Sequence, residues 1–477
     1  MQPENLRFGG GVSESVLHPL VLIALILALI LIFVLKRKYV IIPVLTMFFL
    51  VPLGQQVVLG GLHFFTSRII ILALAIRMIV AAFSSSEGIL GGGTELLDKV
   101  FVLWAVFRAA AGILTFMQAG AVIYQMGFLL DAIGGYFALR YLIRDQADVF
   151  RTIRILAVIA FALAGCMLYE KVTLVNIFGY LGGVREAPEV REGLVRAVGP
   201  FQHELLAGVF GATTLPLFFL LWKTGESRIL GILGCIGSTG MTVASGSSTP
   251  LLAYVGAVIA ICAFPLRRRM RLIRWGMVVV IIGLELAMKA HVWFLIQRMN
   301  LLGGSSGYHR AKLIDDFITH FSDWWLIGTK ENHTWGYSTW DLLNQFVAEG
   351  EVGGLATFIC FVALIVFCFS KVGKARKAVE GDRTREWFFW LLGATLFSHV
   401  VAYWGVSYFD QTRFLWYALL GMIVAATAPY LALKTVPEPR VPLRHRRPRL
   451  AYGTLSASSM KTRMLPRSGP SFKSQLS

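Results

Sequence analysis

The run LVLIALILALILIFVL, residues 20–35, contains no charged or polar side chain. As a helix it would extend about 24 Å, close to the ~30 Å hydrocarbon core of a bilayer. Similar runs recur along the 477-residue chain, in which 56% of the residues are hydrophobic and 15% are charged. Soluble domains carry about 25% charged residues. The composition therefore predicts a polytopic integral membrane protein and excludes a soluble two-domain enzyme.

The apolar runs predict a single all-α membrane domain over residues 1–433, with about thirteen transmembrane helices (roughly 12–14). The predicted spans are 17–35, 40–60, 63–83, 100–117, 119–140, 152–169, 204–222, 229–245, 250–266, 274–291, 352–369, 387–408 and 413–433. The two halves of the chain show no matching pair of Gly- or Pro-broken helices, which weakens the case for an inverted-repeat transporter.

The distribution of positive charge predicts the orientation. Lys and Arg collect in short loops at 36–38, 140–154, 267–274 and 371–385. Cytoplasmic loops carry an excess of these residues, so we expect these loops in the cytoplasm and the N-terminus outside. Two long loops, 170–203 and 291–340, are then predicted to lie together on the external face.

The C-terminal segment 434–477 is rich in Lys, Arg, Ser and Pro. We predict a disordered cytoplasmic tail that lies on anionic lipid headgroups. The excess positive charge, +18 for the whole chain, lies in the short loops and the tail, where it would set the membrane orientation. No nucleic-acid partner is therefore expected. The five cysteines fall inside apolar runs without the spacing of a disulfide framework or a metal site, and no metal or cofactor is predicted.

The external loops hold the candidate functional residues. The stretch VREAPEVREGLVRAVGPFQHE, residues 184–204, contains Arg191 and Arg196. Arginine side chains bind phosphate oxygens in a bidentate manner, although an ordinary solvated loop explains the stretch equally well. In the second loop, an amphipathic helix is predicted at 308–320, followed by a Trp pair and a further helix that starts with WDLLNQFVAEG.

Two polar features fall inside the predicted spans. Arg108 and Asp131 lie about equally far from the turn near residues 117–119, so they would reach the same depth in a helical hairpin and could pair. We expect a structural ion pair rather than a proton relay, although charge inside a membrane is always a functional candidate. His399 is expected to be a hydrogen-bonded core residue.

The order of motifs in the second half resembles the O-antigen ligase and polymerase family. An arginine precedes a GPF-x-H turn; an Arg-containing helix, a W-x-x-G motif and the pattern L-x5-E-G-x-x-G-G-L follow. The resemblance covers roughly residues 170–370. It implies a metal-independent glycosyltransferase of the bacterial inner (cytoplasmic) membrane that acts on undecaprenyl-diphosphate-linked glycans. An acceptor glycan or lipid and other polysaccharide-assembly proteins would be its further partners.

The same resemblance implies roles for individual residues. Arg196 and Arg310 match the arginines that hold the donor pyrophosphate, and Arg191 lies beside the first of them. Charge stabilisation of the leaving pyrophosphate is the chemical reason for such arginines.

The catalytic base is less clearly marked. Family ligases often carry His-Asn just before the helix that contains Glu-Gly, whereas this chain has Trp340 and Asp341 there. His333, His309 and Asp341 remain alternatives, since imidazole and carboxylate groups can both act as bases. The departure favours a polymerase or exopolysaccharide role over a ligase role, but both stay open.

The main alternative is a transporter or flippase of polyprenyl-linked glycans. A transporter should concentrate polar residues in a cavity within the spans, whereas the polar residues here lie mostly in the two external loops. A non-catalytic membrane scaffold is the third alternative.

Overall fold

The computed structural model describes residues 16–59, 62–84, 88–299, 306–336 and 342–432. The helices of the first half are α1 (Pro19–Val34), α2 (Arg37–Leu50), α3 (Thr66–Ser84), α4 (Leu96–Phe116), α5 (Ala119–Leu129), α6 (Gly135–Leu142) and α7 (Gln146–Thr173). Those of the second half are α8 (Glu204–Thr224), α9 (Arg228–Ala244), α10 (Ser248–Cys262), α11 (Met270–Ala287), α12 (Ser306–Thr319), α13 (Phe321–Trp324), α14 (Gln345–Ala378), α15 (Arg383–Tyr403) and α16 (Thr412–Ala432).

Short elements connect these helices. A π-helical turn, Leu130–Gly134, joins α5 to α6. Four 3-10 segments are found among the described residues, at Ile177–Leu181, Phe264–Arg268, Val292–Met299 and Asn332–Thr334. Two antiparallel hairpins complete this part of the chain, one of β1 (Gln56–Leu59) and β2 (Leu62–Phe65), the other of β3 (Glu189–Arg191) and β4 (Leu194–Arg196).

The chain is mostly helical, and several of its helices could cross a membrane. Every one of the thirteen predicted spans overlaps a helix. Within the described ranges, seven helical segments are long and apolar enough to cross a bilayer, and α1, α9 and α10 are shorter apolar helices. The all-α membrane class thus agrees with the structure, while the number of crossings stays a prediction.

The centre of the bundle is α8. It packs against α7, α9, α10 and α15, and 89% of its apolar window is buried. Small residues permit this close packing: a Cβ placed on Gly208 would lie 2.7 Å from Pro250, and one on Gly211 would lie 2.8 Å from the Ser238 carbonyl oxygen. A helix that is apolar on every side is typical of such a central position.

One end of the bundle, here called the loop end, carries the described parts of the segments 51–65, 174–203, 320–344 and 404–411. Hydrogen bonds connect three of these segments to each other and the segment 320–344 to the end of α4. Gln411 donates to the carbonyl oxygens of Val51 and Pro200, each at 3.1 Å, and Thr115 donates to the Ile327 carbonyl oxygen at 2.8 Å. The two long loops therefore share one end, and which side of a membrane it faces stays a prediction.

The opposite, basic end is fastened by ion pairs between distant parts of the chain. Arg37 pairs with Asp148 at 2.7 Å, and Arg267 pairs with Glu386 at 2.7 Å. The basic loops that the sequence places in the cytoplasm thus meet at the end away from the long loops. The predicted disordered tail, 434–477, lies outside the described residues.

Other local predictions can be compared directly with the structure. The amphipathic helix predicted at 308–320 is confirmed as α12. The helix predicted to begin at WDLLNQF instead begins at Gln345, where the Asn344 side chain caps the backbone. His399 is buried and bonds the Tyr408 hydroxyl at 2.7 Å, as expected for a core histidine.

Candidate functional site

A break in α14 brings the two loop-end motifs of the second half together. Gly354 has φ 71° and ψ −175°, a conformation that is essentially restricted to glycine. The backbone N–H of the next residue, Leu355, leaves the helix and donates to the Trp325 carbonyl oxygen at 2.8 Å. The segment 345–352 therefore forms a short helix of its own at the loop end.

The Trp-x-x-Gly motif supplies the other half of this contact. Gly328 has φ 82°, and the following Thr329 N–H donates to the Glu351 carbonyl oxygen at 2.8 Å. The side chain of Asn332 also donates to the Glu351 carboxylate, at 2.8 Å. The two glycine motifs thus lock the polar loop onto the start of α14.

A narrow cavity lies beside this junction, between α4, α5, α14, α16, the end of α15 and the segment 404–411. Its polar lining comes from Arg108, Gln345, Glu349, Tyr408 and Arg413. Its walls are aromatic, with the side chains of Trp104, Phe128, Phe361, Tyr403, Trp416 and Tyr417. The arrangement places charged groups against an apolar surface, and the cavity volume of about 30 Å³ leaves room for only one or two waters, so a larger ligand would contact these groups from its open side.

Glu349 is the best-bonded group in the cavity wall. Its carboxylate accepts from Arg108 Nη1 at 2.8 Å, Trp104 Nε1 at 2.9 Å and Gln345 Nε2 at 2.6 Å, and its side chain is only 1% exposed. The Tyr408 N–H donates to the Gln345 side-chain oxygen at 2.6 Å. A buried charge needs such partners, so Glu349 holds α4, α14 and the 404–411 segment in register.

Arg413 lines the same cavity from the first turn of α16. Its guanidinium donates to the Phe409 carbonyl oxygen at 3.0 Å, and no carboxylate of the described chain lies within ion-pair distance of it. Asp131 and Asp410 act on it electrostatically from farther away. Arg413 thus keeps N–H donors for an anion, in the geometry that suits phosphate.

The cavity extends from the loop end toward the middle of the bundle. Arg108 precedes the end of α4, at Phe116, by eight residues, or about 12 Å along the helix axis. Glu349 lies in the second turn of α14 and Arg413 in the first turn of α16. The 21 residues of α4 extend about 32 Å, so Arg108 lies close to the middle of its helix, whereas Arg413 lies at the loop end of α16.

The predicted pairing of Arg108 with Asp131 is wrong. Asp131 accepts two hydrogen bonds from Arg68, at 3.0 Å from Nε and 2.9 Å from Nη2, and Arg108 pairs with Glu349. Asp131 belongs to the π-helical turn, where the wider backbone changes the direction of the side chains. It therefore faces α3 instead of α4.

The arginines predicted from the first external loop lie on the β3–β4 hairpin. Arg191 is exposed in β3. Arg196, in β4, donates to Glu204 Oε1 at 3.0 Å, and Arg185 donates to Glu204 Oε2 at 3.1 Å. The charge of Arg196 is therefore partly neutralised by a buried carboxylate at the start of α8. Arg310 lies on α12 and is 7% exposed, and the convergence of Arg196 and Arg310 on one ligand stays a prediction.

The GPF-x-H turn has a structural explanation that the sequence did not reveal. Gly199 has φ 57°, and its N–H and that of Val198 donate to the Glu170 carboxylate at 2.9 and 3.0 Å. His203 caps α8 by accepting from the Leu205 N–H at 3.2 Å. Glu170 lies in α7, so no local signal in the turn itself points to it.

The predicted bases occupy different places. His333 is exposed in the 3-10 segment Asn332–Thr334, and His309 is partly exposed beside Arg310 on α12. Neither histidine is among the described residues that line the cavity. Asp341 lies outside the described residues, so its position stays open.

No protein-family model matches the chain, and no curated protein matches it. Within the described ranges there is also no group of three or more His, Cys, Asp or Glu side chains that could hold a metal ion. The motifs and the geometry of the loop end are therefore what indicate a function.

Proposed function

We propose that this protein is a membrane glycan polymerase or ligase that transfers an oligosaccharide from a lipid-diphosphate carrier to an acceptor glycan. The observation that carries the proposal is Arg413, whose guanidinium lines an aromatic-walled cavity and donates only to the Phe409 carbonyl oxygen among the described residues. A diphosphate at headgroup depth would supply the missing oxygens. The motif order over residues 170–370 supports the same reading.

The transfer needs few groups from the protein. An acceptor hydroxyl oxygen attacks the anomeric carbon, the bond from that carbon to the diphosphate oxygen breaks, and the lipid diphosphate leaves with the electron pair. Arg413 and the free N–H groups of Arg108 stabilise the negative charge that develops on the leaving oxygen. A base takes the hydroxyl proton, and His333, His309 and Asp341 are the candidates.

The arginines of the external segments have a role at the rim in this proposal. The β3–β4 hairpin carries Arg191 and Arg196 at the loop end, and α12 carries Arg310 and packs on α14. They would guide the diphosphate and the glycan toward the cavity. The carrier would be undecaprenyl diphosphate, and the protein would work in the bacterial inner membrane during surface or exopolysaccharide assembly.

The flippase alternative has one observation in its favour. The ion pairs Arg108–Glu349 and Arg68–Asp131 lie within membrane-length helices, and charge inside a membrane often marks a transport path. Transporter sites lie near the bilayer midplane, and Arg108 lies close to the middle of α4, so its depth does not argue against a flippase. The motif order over residues 170–370 is the reason to favour a transferase.

The decisive experiment supplies the purified protein with a lipid-diphosphate oligosaccharide and measures chain lengthening and transfer to a lipid acceptor. Arg413→Ala should lower product formation by about 100-fold or more. Arg413→Lys should retain only part of the wild-type activity, because lysine keeps the charge but cannot bind phosphate in a bidentate manner. Arg383→Ala, at the exposed start of α15, is the matched control and should behave as wild type.

Two results would count against the proposal. Wild-type product formation by Arg413→Ala would show that the cavity is not the donor site. Absence of any product from the wild-type protein, together with movement of the lipid-linked glycan across reconstituted vesicles, would identify a flippase instead.

A further inference from the structure

The helix α11 stands apart from the rest of the bundle. None of its residues is buried, and large side chains along it are strongly exposed, including Leu272 at 70%, Val279 at 66% and Leu286 at 83%. Cβ atoms placed on Gly276 and Gly283 would meet no heavy atom within 4 Å. In a membrane protein, such a helix is surrounded by lipid or by a molecule that the chain itself does not supply.

The length and charge pattern of α11 fit a bilayer. Its 18 residues extend about 27 Å, close to the thickness of the hydrocarbon core. Arg271 and Arg274 lie in its first turns and Glu285 in its last, with an uncharged centre at 275–284 between them. The apolar part of α11 is therefore placed along acyl chains, and its arginines at the level of one layer of headgroups.

A shallow pocket lies at this arginine-bearing base of α11. It is lined by Arg271, Arg274, Trp275 and Val278. The spacing of three, four and seven residues places all four side chains on one helix face. Two guanidinium groups, an indole and an aliphatic side chain thus follow one another from the end of the helix toward its apolar centre.

The arginines of this pocket differ from Arg267 and Arg268 in the same basic run. Arg267 pairs with Glu386 at 2.7 Å and Arg268 pairs with Glu380 at 3.1 Å. No described carboxylate pairs with Arg271 or Arg274. Two cations lie close together without a counter-charge from the protein, which favours an external anion.

We propose that Arg271, Arg274 and Trp275 bind the phosphate headgroup of an anionic phospholipid whose acyl chain follows α11 from Val278 onward. The guanidinium fork matches phosphate oxygens, and an indole at the membrane interface can hold the glycerol region. The apolar surface continues directly from the arginines, so the site offers one ligand both a charged and an apolar contact.

A second copy of the chain fits this face less well. Two copies in one membrane share the same orientation, so a symmetric contact through α11 would place Arg271 and Arg274 against the same arginines of the other copy. Like charges that face each other destabilise an interface. A phospholipid brings the opposite charge to the same place.

The test measures lipid retention by native mass spectrometry after reconstitution of the full chain in nanodiscs. One set contains phosphatidylcholine alone, and the other contains phosphatidylcholine with phosphatidylglycerol. The wild-type protein should retain phosphatidylglycerol selectively. Arg271→Gln/Arg274→Gln should weaken that retention by roughly ten- to thirtyfold, since each surface arginine contributes about 1 kcal/mol to anionic-lipid binding.

The control variant removes the same charge from the same end of the bundle. Arg268→Gln/Arg385→Gln changes two arginines that are already paired, with Glu380 and Asp382, and should retain phosphatidylglycerol as the wild type does. Equal unfolding midpoints in detergent establish that both double variants are folded. A third variant, Arg271→Lys/Arg274→Lys, keeps the charge without the fork and should show an intermediate loss.

Four other outcomes would overturn the inference. Equal loss in the two double Gln variants would show a general effect of surface charge, and no loss in either would remove the site. Displacement of the lipid by inorganic phosphate at similar concentration would indicate a site for soluble anions. A dimer that dissociates in Arg271→Gln/Arg274→Gln would show that a second copy covers α11.

Discussion

Replacement of Gly354 by alanine tests whether the two glycine motifs lock together as the structure shows. At φ 71° and ψ −175°, a residue with a Cβ carries about 1–3 kcal/mol of backbone strain. The new Cβ would also lie 2.6 Å from the Leu326 carbonyl oxygen and 2.8 Å from its carbonyl carbon. These are backbone atoms, so the clash cannot be relieved by turning a side chain.

Relief of the clash requires the loop to move away from α14. That movement breaks the hydrogen bonds from Leu355 N to Trp325 O and from Thr329 N to Glu351 O, each of which contributes about 1 kcal/mol. Strain and lost bonds together predict a destabilisation of about 3–5 kcal/mol for Gly354→Ala. The loss is local to the loop end, so protease sensitivity of the segment 326–336 should rise with it.

The assay follows intrinsic tryptophan fluorescence during thermal unfolding in detergent, at one scan rate, for Gly354→Ala and a matched control. The control is Gly373→Ala in the same helix, where no heavy atom lies within 4 Å of the new Cβ. Alanine is favoured over glycine inside helices by about 1 kcal/mol, so the control should hold or gain stability. Equal midpoints for the two variants would refute the reasoning about Gly354.

Three further predictions concern the buried charges and the orientation. Glu349→Ala should lower the free energy of unfolding by about 2–4 kcal/mol, because it leaves the Arg108 charge without its partner. The loss is smaller than for a fully buried charge, since the Arg108 side chain is 21% exposed. The double variant Glu349→Ala/Arg108→Met should recover most of the lost stability. In a cysteine-free background, Glu189→Cys should react with an impermeant thiol reagent in intact cells, and Arg385→Cys should not. Equal reaction at both positions would contradict the predicted orientation. Burial raises the pKa of Asp410 above its ordinary value, so ionisation is disfavoured in the fold and stability should fall as the pH rises from the ordinary to the raised pKa. Asp410→Asn should abolish that fall in a pH series of unfolding midpoints, and an unchanged slope would count against it.

The sequence predicted the elements whose signals are local. An uncharged run such as residues 20–35 must be removed from water wherever it lies, so the membrane class followed from composition alone. The same holds for the amphipathic helix α12, since periodicity acts over a few residues. The gathering of the basic loops at one end could also be inferred, because charge is excluded from hydrocarbon whatever the packing.

The partners of the charged groups were decided by the tertiary structure. Arg108 and Glu349 are 241 residues apart in the chain, and the π-helical turn that directs Asp131 toward Arg68 leaves no distinct mark in the sequence. The cavity around Arg413 likewise depends on where α16 meets α4 and α14. Long-range pairing of this kind depends on the whole fold, so no window of sequence contains it.

Hydropathy also cannot separate a core helix from a lipid-facing one. The spans of α3 and α8 have nearly equal mean hydropathy, 2.0 and 1.9, yet 33% of the first window and 89% of the second are buried. Lipid tails are as apolar as leucine side chains, so both positions select the same residues. The sequence alone thus determined which segments leave water, and only the packing of helix against helix decided which of them form the core and which charges meet at the loop end.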